Sequence, residues 1–313
     1  MPDIDLAALD GTDGFRIDER NTGDRVGFSV SDAGDVNRDG FADILVGADE
    51  AGNGGEAYII LGRADGFGAV FDPNDLVGPN GTILDGPASG ARLGFSVGGA
   101  GDIDGDGYDD AATTSIFSNT SGFVVYGKPD GFSRVTTLDP ADGRDVDRII
   151  GSSFTANIDG AGDFDGDGYA DVIFGETVGD SAGGPNRGGQ AIVLYGGPAG
   201  LADDIRIDAL TTAQGFALTG SAADELVGGS VAGAGDVNGD GYADIVIGAI
   251  GLDGAADYTG GAYVVLGRPG TPPLASSLGA LDGSDGFRLS GRRDGRPHRR
   301  LGRKRGRRQR RRL

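Results

Sequence analysis

One nine-residue pattern, met four times, constrains this chain more than anything else in it. Asp35–Asp43 reads DVNRDGFAD, Asp102–Asp110 DIDGDGYDD, Asp163–Asp171 DFDGDGYAD and Asp236–Asp244 DVNGDGYAD, with starts 67, 61 and 73 residues apart. Each copy follows a small-residue step (SDAGD, GGAGD, DGAGD, AGAGD). Apolar runs come after it, as in ADILVGA with GEAYIILGR and ADIVIGA with GGAYVVLGR. A period of this size marks a repeat architecture, in which each unit buries its apolar faces against its neighbours.

The apolar runs at 44–46, 58–61, 192–195 and 263–266 are β-branched or aromatic, bounded by Gly and too short for ordinary helices. Their continuous hydrophobicity fits strands covered on both faces. With 63 Gly and no Trp or Cys, the composition favours short strands and tight turns and excludes disulfides and thiolate metal sites. The expected fold is all-β, a β-propeller of four-stranded blades. A β-sandwich would not need the same loop at the same place four times. In the last unit the strands are expected near Gly215–Leu218, Gly229–Ala234, Ala243–Gly248 and Gly261–Gly267. Four complete blades are expected, with a fifth opening at Leu281, where LDGSDGFRLSG repeats the LDGTDGFRIDE that begins at Leu9.

The repeated loop has the chemistry of a hard-cation site. Oxygens at positions 1, 3 and 5 of a tight loop converge, Gly at position 6 permits the bend, the carbonyl at 7 points inward and the carboxylate at 9 closes the shell. The candidate ligands of the first site are Asp35, Asn37, Asp39, the Phe41 carbonyl and Asp43. Those of the second are Asp102, Asp104, Asp106, the Tyr108 carbonyl and Asp110. The third has Asp163, Asp165, Asp167, the Tyr169 carbonyl and Asp171, and the fourth Asp236, Asn238, Asp240, the Tyr242 carbonyl and Asp244. Five or more oxygens suit Ca²⁺ better than Mg²⁺, so about four calcium ions are expected. An EF-hand or dockerin loop needs an acid at position 12, where this chain has Val46, Thr113, Phe174 and Ile247. Solvated acidic turns are the plain alternative. Crowded carboxylates repel one another, a cost that a turn alone does not require.

These units resemble FG-GAP repeats, the blades of the integrin α N-terminal propeller. The FG half is clear at Gly27-Phe28-Ser29-Val30 and Gly94-Phe95-Ser96-Val97, and degenerate at Ser153-Phe154-Thr155-Ala156 and Gly228-Gly229-Ser230-Val231. The GAP half survives at Val46-Gly47-Ala48 and Ile247-Gly248-Ala249, weakens at Phe174-Gly175-Glu176 and is lost at Thr113-Thr114-Ser115. The resemblance covers roughly residues 9–290. It implies a propeller with calcium in hairpin loops on one face, and binding of a protein or glycan ligand, often in adhesion, at the cell surface or outside the cell.

Charge divides the chain at residue 290. Residues 291–313 hold 13 Lys or Arg and one Asp, whereas the first 290 carry a net −33. So acidic a body repels nucleic acid and anionic membrane. The Arg-rich end is expected to be disordered or the product of a shifted reading frame, because a basic run contradicts the composition before it. With freely chosen synonymous codons, Gly302–Leu313 read one nucleotide along can give AGSVAGANGDGY. No stretch approaches a membrane span, and the acidic Met1–Asp5 start does not read as a signal peptide, which leaves the export route open. The lone His298 lies in the basic end and there is no Cys, so no nucleophile–base pair is expected and the chain reads as non-catalytic. The alternative is the non-catalytic propeller portion of a larger secreted metal-dependent hydrolase. Asn80-Gly81-Thr82 and Asn119-Thr120-Ser121 match glycosylation triplets that also arise by chance.

Overall fold

The computed structural model of the chain describes residues 5–290 apart from 117–120, 130–131, 133–134, 139–145, 152–155, 178–187, 202–203, 223, 253–259 and 271–274. The Arg-rich 291–313 segment, the Ser153–Thr155 part of the degenerate third FG motif and Asn119-Thr120 of the second triplet lie outside the described residues. Among those described there is no α-helix, only strands joined by turns and single-turn 3-10 segments. No helix there is long and apolar enough to cross a membrane.

The strands form four β-propeller blades. The first runs β2 (Ser29–Gly34), β3 (Asp43–Ala48), β4 (Glu56–Ile60) and β6 (Gly81–Asp85), each antiparallel to the one before. The second is β7 (Ser96–Gly101), β8 (Asp110–Ser115), β9 (Ser121–Val125) and β11 (Val146–Ile150). The third is β12 (Ala156–Gly162), β13 (Asp171–Glu176), β14 (Gln190–Leu194) and β16 (Gly215–Thr219). The fourth is β17 (Val227–Gly235), β18 (Asp244–Ala249), β19 (Gly261–Val265) and β21 (Gly286–Ser290). The innermost strands β2, β7, β12 and β17 pack in succession.

Two features refine the sequence reading. Gly215–Leu218, expected to open the last unit, lies in the outermost strand of the third blade, so the structural blade starts one strand later than the sequence unit. Likewise Gly286–Ser290, expected to begin a fifth blade, is the outermost strand of the fourth. A strand pairs by long-range register, which leaves no local mark in the sequence. Short parallel strands then stitch the blades together. β10 (Val135–Thr137), β15 (Asp204–Arg206) and β20 (Ala275–Ser277) leave the second, third and fourth blades to pair with the outermost strand of the blade before. β5 (Val70–Phe71) does the same from the first blade and meets β1 (Arg16–Ile17).

Cores form between blades. Leu45, Ile59 and Leu84 of the first blade meet Val97, Phe123 and Val125 of the second. Val124 and Ile149 of the second meet Ile158, Phe174 and Ile192 of the third. Ile173, Phe216 and Leu218 of the third meet Val231, Ile247 and Tyr263 of the fourth. Each such side chain, fully buried, contributes roughly 1.5–3 kcal/mol, so each blade depends on its neighbours for stability. Where the GAP motif is lost, Thr114 keeps the strand position: its hydroxyl donates to the Ala156 carbonyl (3.2 Å) and accepts the Ser96 N–H (3.1 Å).

Candidate metal centres

Each Asp-rich loop is the turn between the first two strands of a blade: β2–β3, β7–β8, β12–β13 and β17–β18. A one-residue register shift before the loop, at Gly34, Gly101, Gly162 and Gly235, turns the chain out of the sheet. Position 6 then takes a left-handed backbone, with φ of 89° at Gly40, 91° at Gly107, 96° at Gly168 and 95° at Gly241. A β-carbon would be strained there.

The first ligand position shapes the loop from within. The two Asp102 carboxylate oxygens accept the N–H groups of Gly105 (2.8 Å) and Gly107 (2.9 Å), and Asp163 treats Gly166 and Gly168 alike. Asp104 accepts from Asp106 N–H and Asp106 from Tyr108 N–H, at 3.1 and 3.0 Å. Asp236 serves Gly239 and Gly241, and these N–H groups, Gly241 foremost, hold its carboxyl below the ordinary value.

Position 9 does something the sequence reading missed. Asp110 accepts the Ile103 N–H on one oxygen (2.8 Å) and the Gly127 N–H on the other (2.8 Å). Asp43 does this for Val36 and Gly62, Asp171 for Phe164 and Gly196, and Asp244 for Val237 and Gly267. The residue is therefore a latch that ties its own loop to the far end of the strand beside it. All four are buried. Burial pushes Asp110 up to about 8, Asp171 to about 7 and Asp43 to about 6; the two N–H bonds oppose the rise and the other loop carboxylates add to it. Asp104 and Asp165 are raised as well, chiefly by burial.

In the two middle loops the carboxylates converge. Ligand oxygens of Asp102, Asp104 and Asp110 lie within 4.8 Å of one another, as do those of Asp163, Asp165 and Asp171. Asp106 and Asp167 stand outside these clusters. In the two outer loops position 3 is an amide: Asn37 Nδ2 donates to Asp39 (2.9 Å) and Asn238 Nδ2 to Asp240 (2.8 Å). There a neutral amide donates an N–H to the carboxylate at position 5, where an Asp at position 3 would repel it. Free lone pairs on close, repelling carboxylates match the donor set a hard divalent cation takes, and the middle loops meet that description best.

The next blade covers each of the first three loops. Lys128 N–H donates to the Val36 carbonyl, Gly197 N–H to Ile103 and Arg268 N–H to Phe164, all at 2.9 Å. Position 2 is consequently a core residue at Val36, Ile103 and Phe164, whereas Val237 of the fourth loop is 55% exposed. An apolar residue at position 2 in every copy was the available sequence signal. The Tyr169 ring lies over Gly105 and the Tyr242 ring over Gly166, so the aromatic at position 7 roofs the preceding loop.

Comparison with known proteins finds likenesses to the repeat that carries these loops. The FG-GAP repeat model matches residues 28–60, which span the first three strands of the first blade and its loop. The chain is similar to human integrin alpha-IIb, 33% identical over 148 residues that cover 45% of this chain and 14% of that protein. It is also similar to chicken integrin alpha-6 (36% over 98 residues, 31% and 8%) and to Drosophila melanogaster integrin alpha-PS5 (38% over 93 residues, 29% and 9%). The chain thus spans only a small part of the length of these relatives. Repeated blades, FG and GAP remnants and these likenesses together support an integrin-alpha-like FG-GAP repeat protein.

Proposed function

We propose that the chain is a calcium-stabilised, non-catalytic propeller module that binds a protein or glycan ligand in adhesion, at the cell surface or outside the cell. The observation that carries the metal part is the convergence of Asp102, Asp104 and Asp110, and of Asp163, Asp165 and Asp171, in loops of one shape. Residues at positions 1, 3, 5 and 9 and the carbonyls of Phe41, Tyr108, Tyr169 and Tyr242 would hold the ions. A bound cation would offset the mutual repulsion of the carboxylates and lock the turn. The adhesion part rests on the likeness to integrin α chains. In this reading the ligand contacts lie on loops that carry no motif shared between blades.

The test is thermal unfolding of the chain in millimolar Ca²⁺, in Mg²⁺ and in excess chelator. Each site saturated at 100 times its Kd adds about 2.7 kcal/mol. The expected result is a large, calcium-selective rise in Tm that shrinks most when Asp104 and Asp165 are both changed to Ala. A folded sample whose melting ignores calcium would refute the metal sites.

A further inference from the structure

The first and fourth blades each expose apolar positions that are buried at the junctions between blades. At the tail, Leu289 on β21 occupies the register position of Leu84 on β6, Ile149 on β11 and Leu218 on β16. Those three are buried against the following blade, whereas Leu289 is 52% exposed. Phe287, equivalent to the buried Phe216, is 41% exposed. At the head, Val30 on β2 corresponds to Val97, Ile158 and Val231, each buried against the preceding blade, but is itself 67% exposed.

The head already holds a strand of the tail's own kind. Residues 6–18, LAALDGTDGFRID, match residues 278–290, LGALDGSDGFRLS, at nine of thirteen positions. Their local structure matches too. A single-turn helix opens each, Asp10 accepts from Thr12 N–H and hydroxyl, and Asp282 does so from Ser284. β1 sits on β5 with Ile17 opposite Phe71, the register in which Leu84 faces Thr136, Ile149 faces Ile205 and Leu218 faces Ser276. Phe15 and Ile17 pack on the core of Val46, Tyr58 and Ile83. The first blade thus receives Phe-x-Ile from its own chain in the slot of a preceding blade's outermost strand, and the tail displays Phe-x-Leu uncovered.

We propose that the tail face of the fourth blade binds the head face of the first blade in a second copy of this chain, with β21 of one copy exchanging for β1 of the other on β5. Phe287 and Leu289 then take the places of Phe15 and Ile17, and Val30 is covered by the incoming blade. Because one near-identical strand replaces another, the exchange forfeits little. The contact is head-to-tail, so it builds a ring if the rotation closes and a filament if it does not.

The test is the assembly state of the full chain by sedimentation and light scattering at physiological ionic strength, where a screening length of about 8 Å limits repulsion between the acidic bodies. The wild-type chain is expected to associate with rising concentration. Leu289→Glu spoils the tail and Val30→Glu the head. Both positions are exposed in the single copy, so each variant is expected to keep the wild-type melting curve. Leu289→Glu is expected to weaken association at least about 30-fold, the loss typical of a central interface residue. Mixing the two variants should restore a 1:1 dimer through the one intact junction. In the chain's cysteine-free background, a mixture of Ser290→Cys and Asp72→Cys should form a mixed disulfide on oxidation, because these positions align across the exchanged strands. A chain that stays monomeric at every concentration would overturn the proposal. So would association that neither glutamate alters, or variants that fail to complement on mixing.

Discussion

The second and third loops and the fourth share a sequence pattern but differ in surroundings, and the difference shows how the pattern works. Around Asp102–Asp110 and Asp163–Asp171 the following blade donates N–H groups to the loop backbone, lays a tyrosine over it and buries the residue at position 2. Around Asp236–Asp244 no blade follows among the described residues, and Val237 stands in solvent. The latch is intact in both settings, since Asp244 still holds Val237 and Gly267. The loop's shape is therefore set within its own blade, but its dryness comes from the neighbour.

The sharpest break of this comparison is at position 2. Phe164→Ala is expected to cost about 3–5 kcal/mol, as for a large core side chain, whereas Val237→Ala should stay within about 0.5 kcal/mol, as for a surface change. Denaturant melts of the two variants check this, and equal losses would mean that the fourth loop is covered in solution. A smaller contrast is expected at position 9. Asp110→Asn places an amide against one of two N–H donors and should cost roughly 1–3 kcal/mol even in chelator. Asp244→Asn should cost less, because the exposed Val237 can turn its N–H to water.

The subtlest effect is on pH. In chelator the folded chain holds Asp110 at about 8, Asp171 at about 7 and Asp43 at about 6, against 3.8 for a free carboxyl. Between those limits the native state binds protons that the unfolded state has released. The contribution of these groups is fully present below pH 3.8 and is lost as pH rises through the folded values. Without calcium, Tm is expected to fall from pH 4 towards pH 8, and Asp110→Asn should remove the part of the fall nearest pH 8. With saturating calcium the trend should reverse, since the cation binds the deprotonated form. Melting curves across this range in both conditions decide it.

The loops and the strands beside them were legible because they are local. Four Asp-Gly turns and runs such as Tyr58–Leu61 and Tyr263–Leu266 carry their structure in adjacent residues. The blade register was not legible, because whether Gly286–Ser290 joins the strands before it or after it is decided by pairing with Gly261–Val265. The stitching strands were missed for the same reason: Val70–Phe71 and Asp204–Arg206 are two and three residues long and find partners more than fifty residues away. In the candidate sites the ligand positions could be read, but the latching role of Asp43, Asp110, Asp171 and Asp244 needed the far donors Gly62, Gly127, Gly196 and Gly267 to be seen in place.

The bonds from Lys128, Gly197 and Arg268 to the preceding loops run in one direction only. They lie like roof tiles, each pinning the edge of the one laid before it. Loosening a tile lifts its predecessor and leaves its successor flat, so a lesion in the third blade should reach the second loop sooner than the fourth. A cation lost at one loop would be felt unevenly, and the row has an upstream and a downstream although its units are nearly alike.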